Sequence, residues 1–89
     1  MTKYQVLYWR DIPAQVRVYG GRRPLSRQMP DWFQQEIDRV AMRDGLTGTD
    51  AYLDEWHWSD KQEWIGEEKE PDTVAEAILK RLEDGFDKG

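Results

Sequence analysis

Glu55-Trp56-His57-Trp58-Ser59-Asp60-Lys61-Gln62-Glu63-Trp64-Ile65-Gly66 carries three of the chain's five tryptophans and its only histidine. Aromatic residues on both sides of the polar break Ser59-Asp60-Lys61 predict two strands joined as a hairpin near the middle of a small sheet. Successive strand side chains point to opposite faces, so the length of the break decides what is buried. An even loop puts Trp56, Trp58, Glu63 and Ile65 on one face, with His57 and Trp64 on the other. An odd loop would gather Trp56, Trp58 and Trp64. The even loop is the expectation, because it gives Ile65 to the core.

Working outward toward the N-terminus, Tyr4-Gln5-Val6-Leu7-Tyr8-Trp9-Arg10 has strand composition. Asp11-Ile12-Pro13-Ala14 reads as a turn, since proline fixes φ and removes a backbone donor. Gln15-Val16-Arg17-Val18-Tyr19 alternates with period two and reads as a half-buried strand. With 11–14 as the loop, Leu7, Trp9, Val16 and Val18 share the core face. Tyr4, Val6, Tyr8, Arg10, Arg17 and Tyr19 then lie opposite. Gly20-Gly21-Arg22-Arg23-Pro24 ends that strand as a tight turn and matches no phosphate-loop spacing.

A helix is expected to open at Ser26 or Met29 and run to about Asp44. Phe33, Ile37, Val40 and Ala41 form its apolar stripe, and Gly45 its left-handed cap. Leu46-Thr47-Gly48-Thr49-Asp50 reads as a polar connection. Past the charged connector Glu67-Glu68-Lys69-Glu70, Pro71-Asp72-Thr73 starts a second helix, with Thr73 and Glu76 spaced as a capping box. Val74, Ile78 and Leu82, flanked by Ala75, Leu79 and Phe86, supply its buried stripe. The fold class is therefore α+β: a ββαββα order with an antiparallel four-stranded sheet and two helices packed on one face, as a single domain over residues 1–89.

Composition narrows the chemistry. Without cysteine there is no disulfide, thiol nucleophile or cysteine-based metal site. No apolar run approaches a signal peptide core or a membrane span, so a cytoplasmic location with no membrane partner is expected. The net charge of −5 is unevenly spread. Residues 1–30 hold six basic side chains against Asp11 alone, and residues 31–89 hold seven basic against seventeen acidic. Nucleic acid should be repelled overall, with only the segment from Arg17 to Arg27 able to reverse this locally.

No catalytic, cofactor or metal site is expected. Ser59, His57 and Asp60 are adjacent, and neighbours on alternate faces of a strand do not converge as a triad does. His57 with Asp54 and Glu63 reads as ordinary strand chemistry. The expected functional feature is a wet sheet face of aromatic and arginine side chains, the types enriched where proteins meet. Its expected contact residues are Tyr8, Arg17, Tyr19, His57 and Trp64, offered to an unidentified protein partner or to a second copy. A different class of reading is RNA or anion binding through Arg17, Arg22, Arg23 and Arg27. A carboxylate-using enzyme is the third.

Two runs carry a family resemblance: Tyr8-Trp9-Arg10-Asp11-Ile12-Pro13-Ala14-Gln15-Val16 and Ala41-Met42-Arg43-Asp44-Gly45-Leu46-Thr47-Gly48-Thr49-Asp50-Ala51-Tyr52-Leu53. With them the chain resembles the small bacterial proteins that carry the virulence factor domain, a domain also found in conserved virulence factor C. In larger relatives the domain stands beside a NifU-like segment and HEAT-like helical repeats. The resemblance thus implies an accessory or scaffolding role and brings no catalytic residue to this chain.

Overall fold

Every other strand is registered, directly or through one neighbour, against β1 (Lys3–Trp9). The computed structural model describes residues 2–86. After β1 come β2 (Ile12–Tyr19), β3 (Leu25–Gln28), α1 (Asp31–Arg43), α2 (Asp50–Asp54), β4 (Trp56–Trp58), β5 (Gln62–Glu63) and α3 (Pro71–Gly85). The sheet is antiparallel in the order β3-β2-β1-β4, with β5 also on β1. The α+β class holds. β3 and α2 are additions to the expected order: β3 is a short polar strand, and α2 a single short helix capped by Thr49, whose Oγ1 accepts from the Tyr52 amide at 3.3 Å.

The first hairpin turns more tightly than expected. Trp9 pairs with Ile12, leaving only Arg10 and Asp11 between the strands. Arg10 has φ 56°, the left-handed conformation that two-residue hairpin turns demand. Pro13 does not belong to the turn. It lies buried within β2 opposite Tyr8, and the register then slips so that Leu7 faces Gln15 and Val6 faces Val16. Ala14 is the extra residue of a bulge, a position where a strand tolerates proline beside it. Its carbonyl accepts the Met29 amide at 3.0 Å, anchoring the approach to α1.

This slip redistributes the expected faces. Tyr4, Val6 and Tyr8 share a face with Pro13, Val16 and Val18. Lys3, Gln5, Leu7 and Trp9 share the other with Ile12, Gln15, Arg17 and Tyr19. The expected set Leu7, Trp9, Val16 and Val18 is thereby split, and Tyr4, Val6 and Tyr8 turn inward.

The 55–66 stretch is not a hairpin. β4 and β5 do not pair with each other; both run antiparallel to β1 as one interrupted edge strand. Trp56, His57 and Trp58 oppose Trp9, Tyr8 and Leu7, while Gln62 and Glu63 oppose Tyr4 and Lys3. One extra residue at Ser59–Lys61 separates the two registers. Ser59 bridges the gap: its amide donates to Val6 O at 2.8 Å, and its Oγ accepts from Val6 N at 2.9 Å. Beyond the bulge the facing is reversed. Trp64 is therefore inside at 8% exposure, and Ile65, expected in the core, is 83% exposed.

α3 lies over the Tyr4–Val6–Val16–Val18 face. Arg81 stands over the Trp64 ring at 4.7 Å, and Asp72 reaches Arg27 at 3.6 Å. Val74, Ala75 and Ile78 are its buried residues. Pro71 opens the helix after Glu70, and the expected capping box is absent, because Thr73 already lies in the first turn and donates to Glu70 O. α1 packs at the hairpin end, where Phe33, Ile37 and Ala41 are buried and Phe33 meets Phe86 at 5.1 Å. Its end is a left-handed cap at Gly45 (φ 71°), with Leu46 N bonding Ala41 O and Gly45 N bonding Met42 O.

Arg10 ties these pieces together. Its guanidinium reaches Asp44 at the end of α1 (2.5 Å) and Glu55 at the end of α2 (3.2 Å), and its amide donates to Glu55 O. A carboxylate at a helix C-terminus opposes the dipole; here Arg10 and then Arg43 bond to Asp44 and hold its pKa below the ordinary aspartate range. Beneath them Trp9 is fully buried, with its indole N–H on Tyr52 O at 2.9 Å.

Two outcomes test this packing. Gly66 lies against the buried indole, and a Cβ there would come within 2.3 Å of Trp64 Cζ2 and 2.8 Å of Glu68 Oε1. Gly66→Ala should therefore cost about 1–3 kcal/mol, seen as a lower thermal midpoint. Gly85→Ala meets nothing within 4 Å and should leave the midpoint unchanged or slightly raised. Because the Asp44 pKa is depressed on folding, its stabilisation is present above about pH 4 and fades as pH falls through the folded value. Acid titration of thermal stability should accordingly be shallower in Asp44→Asn, which should also be the less stable protein at neutral pH.

Candidate functional site

Of the two faces of β1 and β2, the one bearing Lys3, Gln5, Arg17 and Tyr19 receives no hydrogen bond, ion pair or ring contact from α1 or α3 among the described residues. Its members are tied to one another. Arg17 is placed by β2, and its neighbour Trp58 by the pairing of β4 with Leu7; the guanidinium lies 4.6 Å from the ring centroid. Arg17 Nε also donates to Ser26 Oγ at 3.4 Å, across the β2–β3 pair. One strand position further, Lys61 Nζ stands 4.3 Å over the Tyr19 ring. Tyr19 donates its hydroxyl proton to Gln5 Oε1 (2.5 Å), and Gln5 Nε2 donates to Ser59 O (2.8 Å). Each exposed cation–ring contact contributes about 0.5–1 kcal/mol, enough to restrict rotamers. Glu63, opposite Lys3, is the acidic residue that the strand registers place on this face.

Of the expected contact residues, Arg17 and Tyr19 stand here. Tyr8 and His57 form a separate stacked pair, centroids 5.7 Å apart, on the face toward α3. Burial, and secondarily Tyr4, raise the Tyr8 pKa. His57 is exposed, with Nε2 donating to Arg10 O at 3.0 Å. Trp64 is not on a surface at all: it lies beneath Arg81 and edge-on to Tyr4. Trp58, expected in the core, replaces it on the open face with 37% exposure.

The four arginines of the anion reading do not converge. Arg17 faces Ser26, whereas Arg27 faces Val16 on the opposite side and pairs with Asp72. Arg22 and Arg23 are exposed in the intervening turn. Ser59 spends its hydroxyl on the edge strand and His57 its Nε2 on Arg10, so the adjacent Ser59, His57 and Asp60 form no relay. Among the described residues no group of three or more His, Asp or Glu is placed to hold a metal ion. None of their helices is long and apolar enough to cross a membrane.

The two runs that carry the resemblance build the hairpin end of the fold. Trp9, Ile12 and Pro13 are buried there, Arg10 joins α1 and α2, and Thr49 caps α2. In the structure they serve the architecture of that end. A family model described as Virulence factor matches residues 7–89. No curated protein and no solved structure matches the chain. With all but the first six residues inside that match, the chain belongs to the Virulence factor family.

Proposed function

We propose that this domain is a protein–protein interaction or accessory module, and that it meets its partner through the open sheet face around Arg17, Tyr19 and Trp58. The observation that carries this reading is the pair of cations held over rings, Arg17 on Trp58 and Lys61 on Tyr19, on a stretch of sheet to which neither α1 nor α3 is bonded among the described residues. Aromatic and arginine side chains already fixed in place lose little further freedom on binding.

Both sheet edges favour the face over strand addition. β3 is four residues long and bounded by Pro24 and Pro30; the β4–β5 edge is broken at Ser59–Lys61. Short, proline-flanked and bulged edges are how sheets avoid pairing with other chains. RNA or anion binding is the weaker reading, since Arg17, Arg22, Arg23 and Arg27 are dispersed. The carboxylate enzyme loses support as well: the shifted carboxylate Asp44 is held down by arginines.

Site-directed photocrosslinking in the native host tests the proposal. A crosslinker at the exposed Lys3, opposite Tyr19 on the open face, should give a discrete protein adduct that Trp58→Ala reduces at least about tenfold. The same group at Lys80, on α3, should not. Equal adducts from both positions, or adducts indifferent to Trp58→Ala, would contradict the proposal.

A further inference from the structure

Ion pairing is uneven in this acidic chain. Arg10, Arg27, Arg39 and Arg43 each have a carboxylate partner, supplied by Asp44 and Glu55, Asp72, Glu36 and Asp44. Arg17 and Lys61, like Lys3, Arg22, Arg23, Lys69, Lys80 and Arg81, have none among the described residues, although eighteen acidic side chains are present. Both are nevertheless held in place. The Arg17 Cζ lies over the Trp58 ring, 4.6 Å from its centroid, and Nε is turned to Ser26 Oγ. That leaves the terminal NH1 and NH2 groups for an outside acceptor. A guanidinium held over an aromatic ring, with its terminal nitrogens free, is prepared for two-point bonding to a carboxylate.

Building on the interaction reading above, we infer that the partner presents a carboxylate-bearing segment to this face, with Arg17 as the main anchor and Lys61 as the second. Charge complementarity selects this occupant. The strand registers and ring contacts bring Lys3, Arg17 and Lys61 to this face, with Glu63 as the acid opposite Lys3, in a protein of net charge −5. An acidic chain is attracted to these cations against the repulsion of the protein's net negative charge. Two copies joined face to face would bring these cations together, which disfavours that pairing. Single-stranded nucleic acid is also disfavoured, because bases bind by stacking on ring faces, and Arg17 and Lys61 already occupy faces of Trp58 and Tyr19.

Fluorescence anisotropy with three labelled probes tests the inference: a short peptide alternating glutamate with leucine, its glutamine counterpart, and a single-stranded DNA oligonucleotide of matched charge. The full chain should bind the glutamate peptide at least about tenfold more tightly than either other probe. Arg17→Ala should remove that preference and Arg17→Lys should restore only part of it, with thermal melts showing that both variants are folded. Lys61→Ala should weaken the glutamate peptide by a smaller factor. Equal affinity for the two peptides, tighter binding of the oligonucleotide, or full affinity in Arg17→Ala would overturn the inference. The Lys3 crosslink separates the two failures. If it persists and still depends on Trp58 while the peptides bind equally, the face is an interface and the acidic partner is wrong; if it fails too, the interface itself is wrong.

Discussion

Ser59 holds together the two halves of the edge strand. Where the strand gains one residue, a backbone carbonyl can no longer meet the Val6 amide, and the Ser59 hydroxyl accepts that proton instead. The Ser59 amide and carbonyl stay engaged with Val6 O and Gln5 Nε2. A buried strand that lost such a partner would bear the cost of an unsatisfied amide, about 1–3 kcal/mol. With the hydroxyl in place, the chain changes register by one and keeps its attachment to β1.

That one-residue change sorts the tryptophans. Before it, Trp56 and Trp58 share a face with Trp9 and Leu7; after it, Gln62 and Trp64 share a face with Tyr4. The bulge at Ala14 acts likewise on the other side of β1, so that Ile12 faces with Trp9 while Val16 and Val18 face with Val6 and Tyr4. β1 alone keeps unbroken alternation. The result is a sheet buried on the α3 side and packed around Trp9 at the hairpin end, with an uncovered region around Arg17, Tyr19 and Trp58. The proposed function rests on that uncovered region.

Much of this was legible in the residues. The stripe Phe33, Ile37, Ala41 and the stripe Val74, Ala75, Ile78 are buried as periodicity requires, and Gly45 takes the left-handed cap expected of it. The strands around Val6 and Val16 and the antiparallel α+β architecture were likewise readable. The registers were not, because an inserted residue leaves no mark on a pattern of period two. Pro13 looks like a turn residue and is instead a strand residue beside a bulge; Ser59-Asp60-Lys61 looks like a hairpin turn and is a bulge on one edge. β3 has no apolar alternation in Leu25-Ser26-Arg27-Gln28, and α2 is announced only by Thr49 before Asp50. These slips moved Trp58 outward and Trp64 inward, so the sequence placed Arg17 and Tyr19 on the open face but not Trp58 beside them.

The path of residues 56–63 is the claim on which the rest depends, and backbone proton NOEs measure it most directly. One interrupted edge strand requires cross-strand NOEs between Tyr8 and His57 and between Tyr4 and Gln62, with none linking Trp58 to Glu63. A strong Trp58–Glu63 cross-strand NOE, with no contact from Gln62 to Tyr4, would mean a hairpin and would contradict the account.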